Sequence, residues 1–183
     1  MEISEAQRDV RRVYAGGFPG LLISSLAWLI SSSLGTWVSW HAAMLALVVG
    51  GPFIFFALEI LLRVIDHQAE LRRNNPLNSL MLQLVFLLPI LLPLVVVAFM
   101  HRADWLYPAF MLALGAHFLP FMFLFGMWQF GVLGLLFAGS ALVFGMSGAE
   151  HFVIAGWYGA IVQLLFALSA LSAIRAENQG VPA

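Results

Sequence analysis

The sequence predicts an all-α fold, a bundle of six transmembrane helices that forms a single integral membrane domain over residues 1–183. Composition is one reason, because 62% of the residues are hydrophobic and only 9% are charged, which lies outside the range of soluble domains. The spacing of charge is another, because residues 13–58 and 105–149 carry no charged side chain. Each run would form about 68 Å of helix against about 30 Å of bilayer hydrocarbon, so each must cross twice. The shorter uncharged runs, 74–101 and 151–174, each fit one crossing.

The six predicted spans are residues 17–34, 40–64, 77–100, 105–127, 130–146 and 152–174. Residues 1–12 are polar, and the apolar run after them lacks a small-residue cleavage site, so we expect a retained span and not a removable signal peptide. Pro19 and Pro108 fall in the first turns of spans one and four, and Asn75 is the predicted N-cap of span three. Tryptophans near the span ends are typical of membrane interfaces: Trp37, Trp40, Trp105, Trp128 and Trp157.

Basic residues are unevenly divided between the two sides of such a bundle. All eight are arginines; Arg102 falls on one side and seven fall on the other: Arg8, Arg11, Arg12, Arg63, Arg72, Arg73 and Arg175. Because Arg-rich loops stay in the cytoplasm, both termini are predicted to be cytoplasmic. The uncharged runs alternate long, short, long, short, which suggests two three-helix halves in inverted topology, although any compact six-helix protein can show this spacing.

Interior prolines predict interruptions of the helices. Four of them lie inside spans two, three and four: Pro52 (directly after Gly50-Gly51), Pro89, Pro93 and Pro120. Each frees a backbone carbonyl, which in lipid needs a hydrogen-bond donor or a wet cavity. A packing kink is the alternative explanation for any one of them.

His117 lies about 18 Å into span four, near the midplane, where a buried ionisable side chain is a candidate functional residue. Small or polar residues recur at comparable depth in other spans: Ser24, Ser25, Gly50, Gly51, Ser140 and Gln163. Together with Pro52 they predict a cavity for a small solute or an ion. We expect His117 within hydrogen-bond reach of Gln163, Ser140 or the Ala116 carbonyl; the alternative is that such a bond only fastens helices together.

Other titratable residues give weaker predictions. Glu59 and Arg63 stand one helical turn apart in span two and predict an ion pair. No acid–base or nucleophile pair is visible, and the chain contains neither cysteine nor lysine, so no catalytic residue and no cofactor is predicted and an enzyme is the less favoured class. The predicted outer end, on the side of Arg102, carries titratable residues that lack the spacing of metal ligands, so no metal site is predicted there. These residues are His41, His101, His151, Asp104 and Glu150.

Four stretches of the sequence carry a resemblance to a known family: SEAQRDVRRVY at 4–14, GGFPG at 16–20, NPL at 75–77 and WLYPAF at 105–110. They resemble an uncharacterised bacterial family of multi-pass membrane proteins, catalogued only as a domain of unknown function, over most of the chain. The resemblance implies a bacterial cytoplasmic (inner) membrane protein. It implies no activity, cofactor or site residue.

Two functions remain open at this point. The first is binding and transport of a small solute or ion through a midplane cavity; the second is a non-transporting structural or accessory subunit that binds a partner by helix packing. A solvated cavity favours the first and a dry, filled centre the second. The expected partners are the lipid bilayer, a small solute or ion and a second copy of the chain, but no nucleic acid, because the net charge is −1 and no basic patch is present. Small residues at packing spacing serve contacts within the bundle or in that homodimer: Gly16 and Gly20, Gly134 and Ala138, Gly156 and Ala160.

Overall fold

The computed structural model describes residues 1–64 and 71–179, apart from the side chains of Pro52, Phe55 and Asn178. Within these residues the chain is all-helical, without a strand, which confirms the all-α part of the prediction. The helices are α1 (Ile3–Val13), α2 (Phe18–Trp37), α3 (Trp40–Val64), α4 (Asn78–His101), α5 (Leu106–Phe125), α6 (Trp128–Ser147) and α7 (Phe152–Asn178). Short 3-10 turns precede α2, α5 and α7.

Five of the described helices are long and apolar enough to cross a membrane: α2, α4, α5, α6 and α7. A sixth crossing depends on α3, which bends by 66° between Trp40–Gly51 and Phe56–Val64 and counts as a span if its two pieces cross together. All six helices begin and end within four residues of the predicted spans. The charge-free runs therefore predicted the extent of the helices well.

The bend in α3 coincides with the predicted interruption at Gly50-Gly51-Pro52. In contrast, α4 continues through Pro89 and Pro93, and α5 continues through Pro120. The expected breaks in spans three and four are therefore not found. The packing of a helix against its neighbours can hold it together across the backbone hydrogen bond that proline removes.

One end of the bundle gathers charged residues from segments far apart in the sequence, and we call it the arginine end. Arg11 donates two hydrogen bonds to the Glu177 carboxylate, at 2.8 and 2.7 Å, and a third to the Phe125 carbonyl at 2.6 Å. Arg72 donates to Glu5 at 2.8 Å. The segment before α2, the segment between α3 and α4 and the last turn of α7 thus meet at one end, which is the arrangement of an antiparallel bundle.

Helix α1 is amphipathic and packs across the arginine end. It buries Ala6, Val10 and Val13, and it also buries Asp9, which is 5% exposed. Asn75 donates to the Ala6 carbonyl and to Asp9, both at 3.1 Å, and its side-chain oxygen accepts the Leu77 N–H at 2.9 Å. Asn75 is therefore not the N-cap of α4 as predicted; it forms the turn before α4 and attaches that turn to α1.

Small residues bring two pairs of helices close together. In the α2–α7 pair, a Cβ on Gly159 would lie 2.4 Å from the Trp28 ring, which is 1% exposed. In the α5–α6 pair, a Cβ on Gly115 would lie 2.8 Å from the Gly134 carbonyl oxygen. A Cβ on Gly156 would likewise meet the Ser32 hydroxyl at 2.6 Å. These three glycines serve helix contacts within one chain, because only a residue without a side chain permits such a close approach.

Helices α3 and α4 pack less closely on each other than these glycine-containing pairs do. They contact each other sparsely, whereas α2 with α3, α2 with α7, and α5 with α6 pack along much of their length. Helix α5 is the most buried of the five long helices and α4 the least. The space that α3 and α4 leave between themselves and α5 contains the candidate site.

Candidate ligand-binding cavity

A cavity of about 250 Å³ lies between α2, α3, α4 and α5 and extends to the first turn of α6. An apolar protein cavity of roughly 150 Å³ already takes up benzene, so this one has room for a small molecule. Most of its wall is hydrocarbon, including Leu21, Leu84, Leu88, Pro89 and Leu92. Its polar groups are few, which is the usual make-up of a small-molecule site.

His117 lies on the cavity wall, a little more than half-way along α5. Its side chain is 9% exposed, and its Nδ1 atom has no hydrogen-bond partner among the described residues. The ring instead packs edge-on against Phe121, with the ring centres 4.8 Å apart. An unsatisfied buried polar atom costs about 1–3 kcal/mol, which a polar group of a bound molecule would offset.

The expected hydrogen bond from His117 to Gln163, Ser140 or the Ala116 carbonyl is therefore not formed at Nδ1. Gln163 is fully buried behind the wall, where it accepts a hydrogen bond from Ser24 and donates to the Gly159 carbonyl at 3.2 Å. The side chain of Gln163 therefore makes its hydrogen bonds within the α2–α7 pair. At Nδ1, no contact among the described residues supports the interpretation of His117 as a helix fastener.

Of the other residues predicted to line a cavity, some do so and others do not. Ser24 and Gly51 line the cavity together with His117. Ser25 points away and donates to the Ala160 carbonyl at 2.9 Å, and Ser140 donates to the Tyr158 hydroxyl at 2.8 Å. Gly50 does not line the cavity, and a Cβ there would meet no atom within 4 Å. The side chain of Pro52 lies outside the described part of the chain.

Tyr14 and Glu59 also line the cavity, on the side nearer the arginine end. Burial, and then the negative charge of Glu59, raise the pKa of the Tyr14 phenol above its ordinary value. Glu59 is exposed as well, so the cavity reaches the surface there. The predicted ion pair between Glu59 and Arg63 is not formed in the described residues; a solvated pair of this kind is worth only a few tenths of a kcal/mol, too little to fix two exposed side chains.

An aromatic wall connects His117 with the Tyr14 side of the cavity. It consists of Phe118, Phe121, Phe125 and Phe130, all of which line the space. Phe121 lies 5.8 Å from both Phe125 and Phe130, and the latter two rings are stacked at 5.0 Å. The sequence analysis missed this wall, although the spacing of three phenylalanines by three and four residues on α5 is a signal for one helical face.

Comparison with known families gives one match. The model of a family of unknown function, DUF7010, matches residues 3–173. The chain belongs to this family. This finding confirms the resemblance to an uncharacterised domain family. No curated protein and no solved structure matches the chain.

At the end of this DUF7010 protein opposite the arginine end, the histidines make ring and polar contacts with neighbours. His41 packs against Phe99 with ring centres 5.5 Å apart, and His101 packs against Trp105 at 6.2 Å. His151 lies 3.7 Å from the Glu150 carboxylate. Over residues 1–64 and 71–179, no three His, Asp or Glu side chains stand together as metal ligands.

Proposed function

We propose that this DUF7010 protein binds a small, mainly apolar solute in the cavity between α2, α3, α4 and α5 and transports it across the membrane. The observation that carries the proposal is the Nδ1 atom of His117, which has no partner among the described residues and lies on the wall of a space of about 250 Å³. Buried polar atoms are normally paired. A ligand with one polar group in an apolar body would satisfy the ring and fill the cavity.

The make-up of the wall favours a solute over a small inorganic ion. A desolvated ion needs several oxygen or nitrogen ligands to replace its water. The cavity offers the imidazole of His117, the Ser24 hydroxyl, the Tyr14 phenol and one carboxylate, spread over a wall that is mainly hydrocarbon. Such a surface binds hydrocarbon well and uses its polar atoms for orientation.

Transport, as distinct from binding, is supported by the bent helix α3 beside the cavity. Six spans with an inverted repeat would pair helices in an equivalent way in both halves. In this bundle α2 packs on α3 and α7, and α5 packs on α6 and α4. The two sets of contacts are equivalent if α2, α3 and α4 correspond to α5, α6 and α7 in that order. Inverted repeats with interrupted helices at the site are typical of transporters that open to each side in turn.

The alternative is a non-transporting subunit that binds a partner through an exposed helix face. Helix α4 offers such a face, with Leu82, Phe86 and Ile90 exposed. Lipid covers an apolar face equally well, and this function would leave the cavity and the unpaired His117 atom without a role. The cavity therefore favours the first function.

A pair of aromatic probes tests the binding proposal on the purified protein. Benzyl alcohol carries a hydroxyl that can pair with His117, and toluene does not. We expect a larger ligand-induced thermal shift with benzyl alcohol. The difference between the probes should disappear in His117→Leu and survive in part in His117→Gln. Equal shifts for wild type and His117→Leu would contradict the proposal.

Two glycine variants separate cavity binding from uptake into detergent. Gly20 lines the cavity and has open space around its Cβ position, so Gly20→Leu should fill the space and abolish both shifts. Gly139 also has open space around its Cβ position but lies outside the cavity. Gly139→Leu should therefore bind both probes like the wild type.

Cysteine labelling in intact cells tests the six-span topology that transport requires. Cysteines at Ser39 and Ala103 should react with an impermeant thiol reagent applied outside, and a cysteine at Asn74 should not. Reaction at Asn74 would contradict a cytoplasmic arginine end.

A further inference from the structure

We propose that the solute of this cavity is an organic cation, an ammonium group on an aromatic or alkyl body, whose charge lies near Glu59. The inference rests on the proposed function and names the ligand class for the same site. It follows from the distribution of charge and aromatic rings in the wall.

The formal charge of the lining residues is negative. Glu59 is the one carboxylate among the described lining residues, and no arginine side chain lines the cavity. Arg63 stands one helical turn after Glu59 but does not line the cavity, and Arg11 at the arginine end is used by Glu177 and the Phe125 carbonyl. A carboxylate at the opening of an apolar space attracts a cation and repels an anion.

The aromatic wall suits the same charge. The face of a phenyl ring carries negative potential and attracts an ammonium group within about 6 Å of the ring centre. Phe121, Phe125 and Phe130 form a continuous group with ring centres 5.0 to 5.8 Å apart. The wall lies close to the start of α2, because a Cβ on Gly17 would be 2.7 Å from Phe130. Gly17 stands three residues after Tyr14, and the Tyr14 phenol interacts with the charge of Glu59, so rings, phenol and carboxylate share one side of the cavity.

Other charged ligands fit less well. A small metal cation would find one carboxylate and few further oxygen atoms in this wall, which is less than a hard cation requires. An anion would meet Glu59 and no basic side chain among the described lining residues. A cation with a bulky apolar body gains from the hydrocarbon wall, the ring faces and the carboxylate together.

Two probes of the same shape test the charge preference directly. Benzyltrimethylammonium is the cation, and neopentylbenzene is its neutral carbon analogue. Affinity for the purified protein is measured for each as the difference from Gly20→Leu, since neopentylbenzene also enters detergent. We expect the wild type to bind the cation at least about ten-fold more tightly than the neutral probe.

Three carboxylate variants assign that preference to Glu59. Glu59→Gln should weaken the cation about ten-fold and leave the neutral probe unchanged, because shape is kept and charge is removed. Glu59→Asp should retain the preference. Glu150→Gln is the matched control, since Glu150 is an exposed carboxylate that does not line the cavity, and it should behave as wild type.

The outcomes distinguish the two proposals. If both probes bind equally, or if Glu59→Gln weakens them equally, the cation preference is wrong while binding in the cavity stands. If neither probe binds more to the wild type than to Gly20→Leu, the cavity does not take solutes of this size and both proposals fail.

Discussion

The two sides of the bundle are packed by different means. Where α2 packs on α7 and α5 packs on α6, glycines let backbones approach closely, and the buried Ser25 and Gln163 side chains are hydrogen-bonded. On the other side, α3 and α4 touch each other sparsely and border a cavity in which Nδ1 of His117, on α5, has no partner among the described residues. We call them the tight side and the open side.

The difference teaches which contacts stabilise this bundle. In lipid, apolar side chains gain little from contact with one another, so helices associate through close packing and hydrogen bonds. The tight side uses both, for example where Gly159 admits the Trp28 ring and Ser25 donates to the Ala160 carbonyl. The open side has bulky aliphatic residues and an interrupted helix, which leave room for a ligand.

The largest expected effect compares one glycine from each side. Gly115→Ala would put a methyl group 2.8 Å from the Gly134 carbonyl oxygen and 3.0 Å from the Ala138 nitrogen, both backbone atoms. We expect a loss of about 1–3 kcal/mol in the free energy of unfolding. Gly50→Ala meets no atom within 4 Å and should be neutral or slightly stabilising. Unfolding in detergent measures both, and equal losses would remove the distinction between the sides.

An intermediate effect compares two buried polar residues replaced by leucine. Gln163→Leu removes the acceptor of Ser24 and the donor to the Gly159 carbonyl, so we expect a loss of about 0.5–2 kcal/mol. His117→Leu removes an atom that has no partner and should leave the unfolding free energy unchanged or raise it. A larger loss for His117→Leu than for Gln163→Leu would mean that His117 supports the fold.

The smallest expected effect concerns Asp9, which attaches α1 to the turn before α4, on the open side. Burial by itself raises the pKa of Asp9, but hydrogen bonds from Asn75, the Arg72 N–H and Arg12 outweigh it and hold the pKa below 3.8. A lowered pKa in the folded protein gives stability that is present above pH 3.8 and is lost as the pH falls through the folded-state value. Asp9→Asn should therefore be less stable than wild type at pH 7, by an amount that shrinks at lower pH. A difference that is the same at every pH would contradict this origin.

Much of the fold could be predicted from the sequence, because the spacing of charges against the thickness of a bilayer is a property of the chain in one dimension. Charge-free runs located the helices to within four residues, and Gly50-Gly51-Pro52 located the bend of α3. The prolines of α4 and α5 wrongly predicted breaks in these helices, since the effect of a proline depends on neighbouring helices that the sequence does not position.

The tertiary structure alone decided which residues form the site. Depth along a helix says nothing about the face on which a side chain lies, and neighbouring residues differ by about 100°. Ser24 therefore lines the cavity while Ser25 does not, and Gly51 lines it while Gly50 does not. Tyr14 and Glu59 come together only because α1 packs across the end of the bundle, a contact between segments that no local pattern joins.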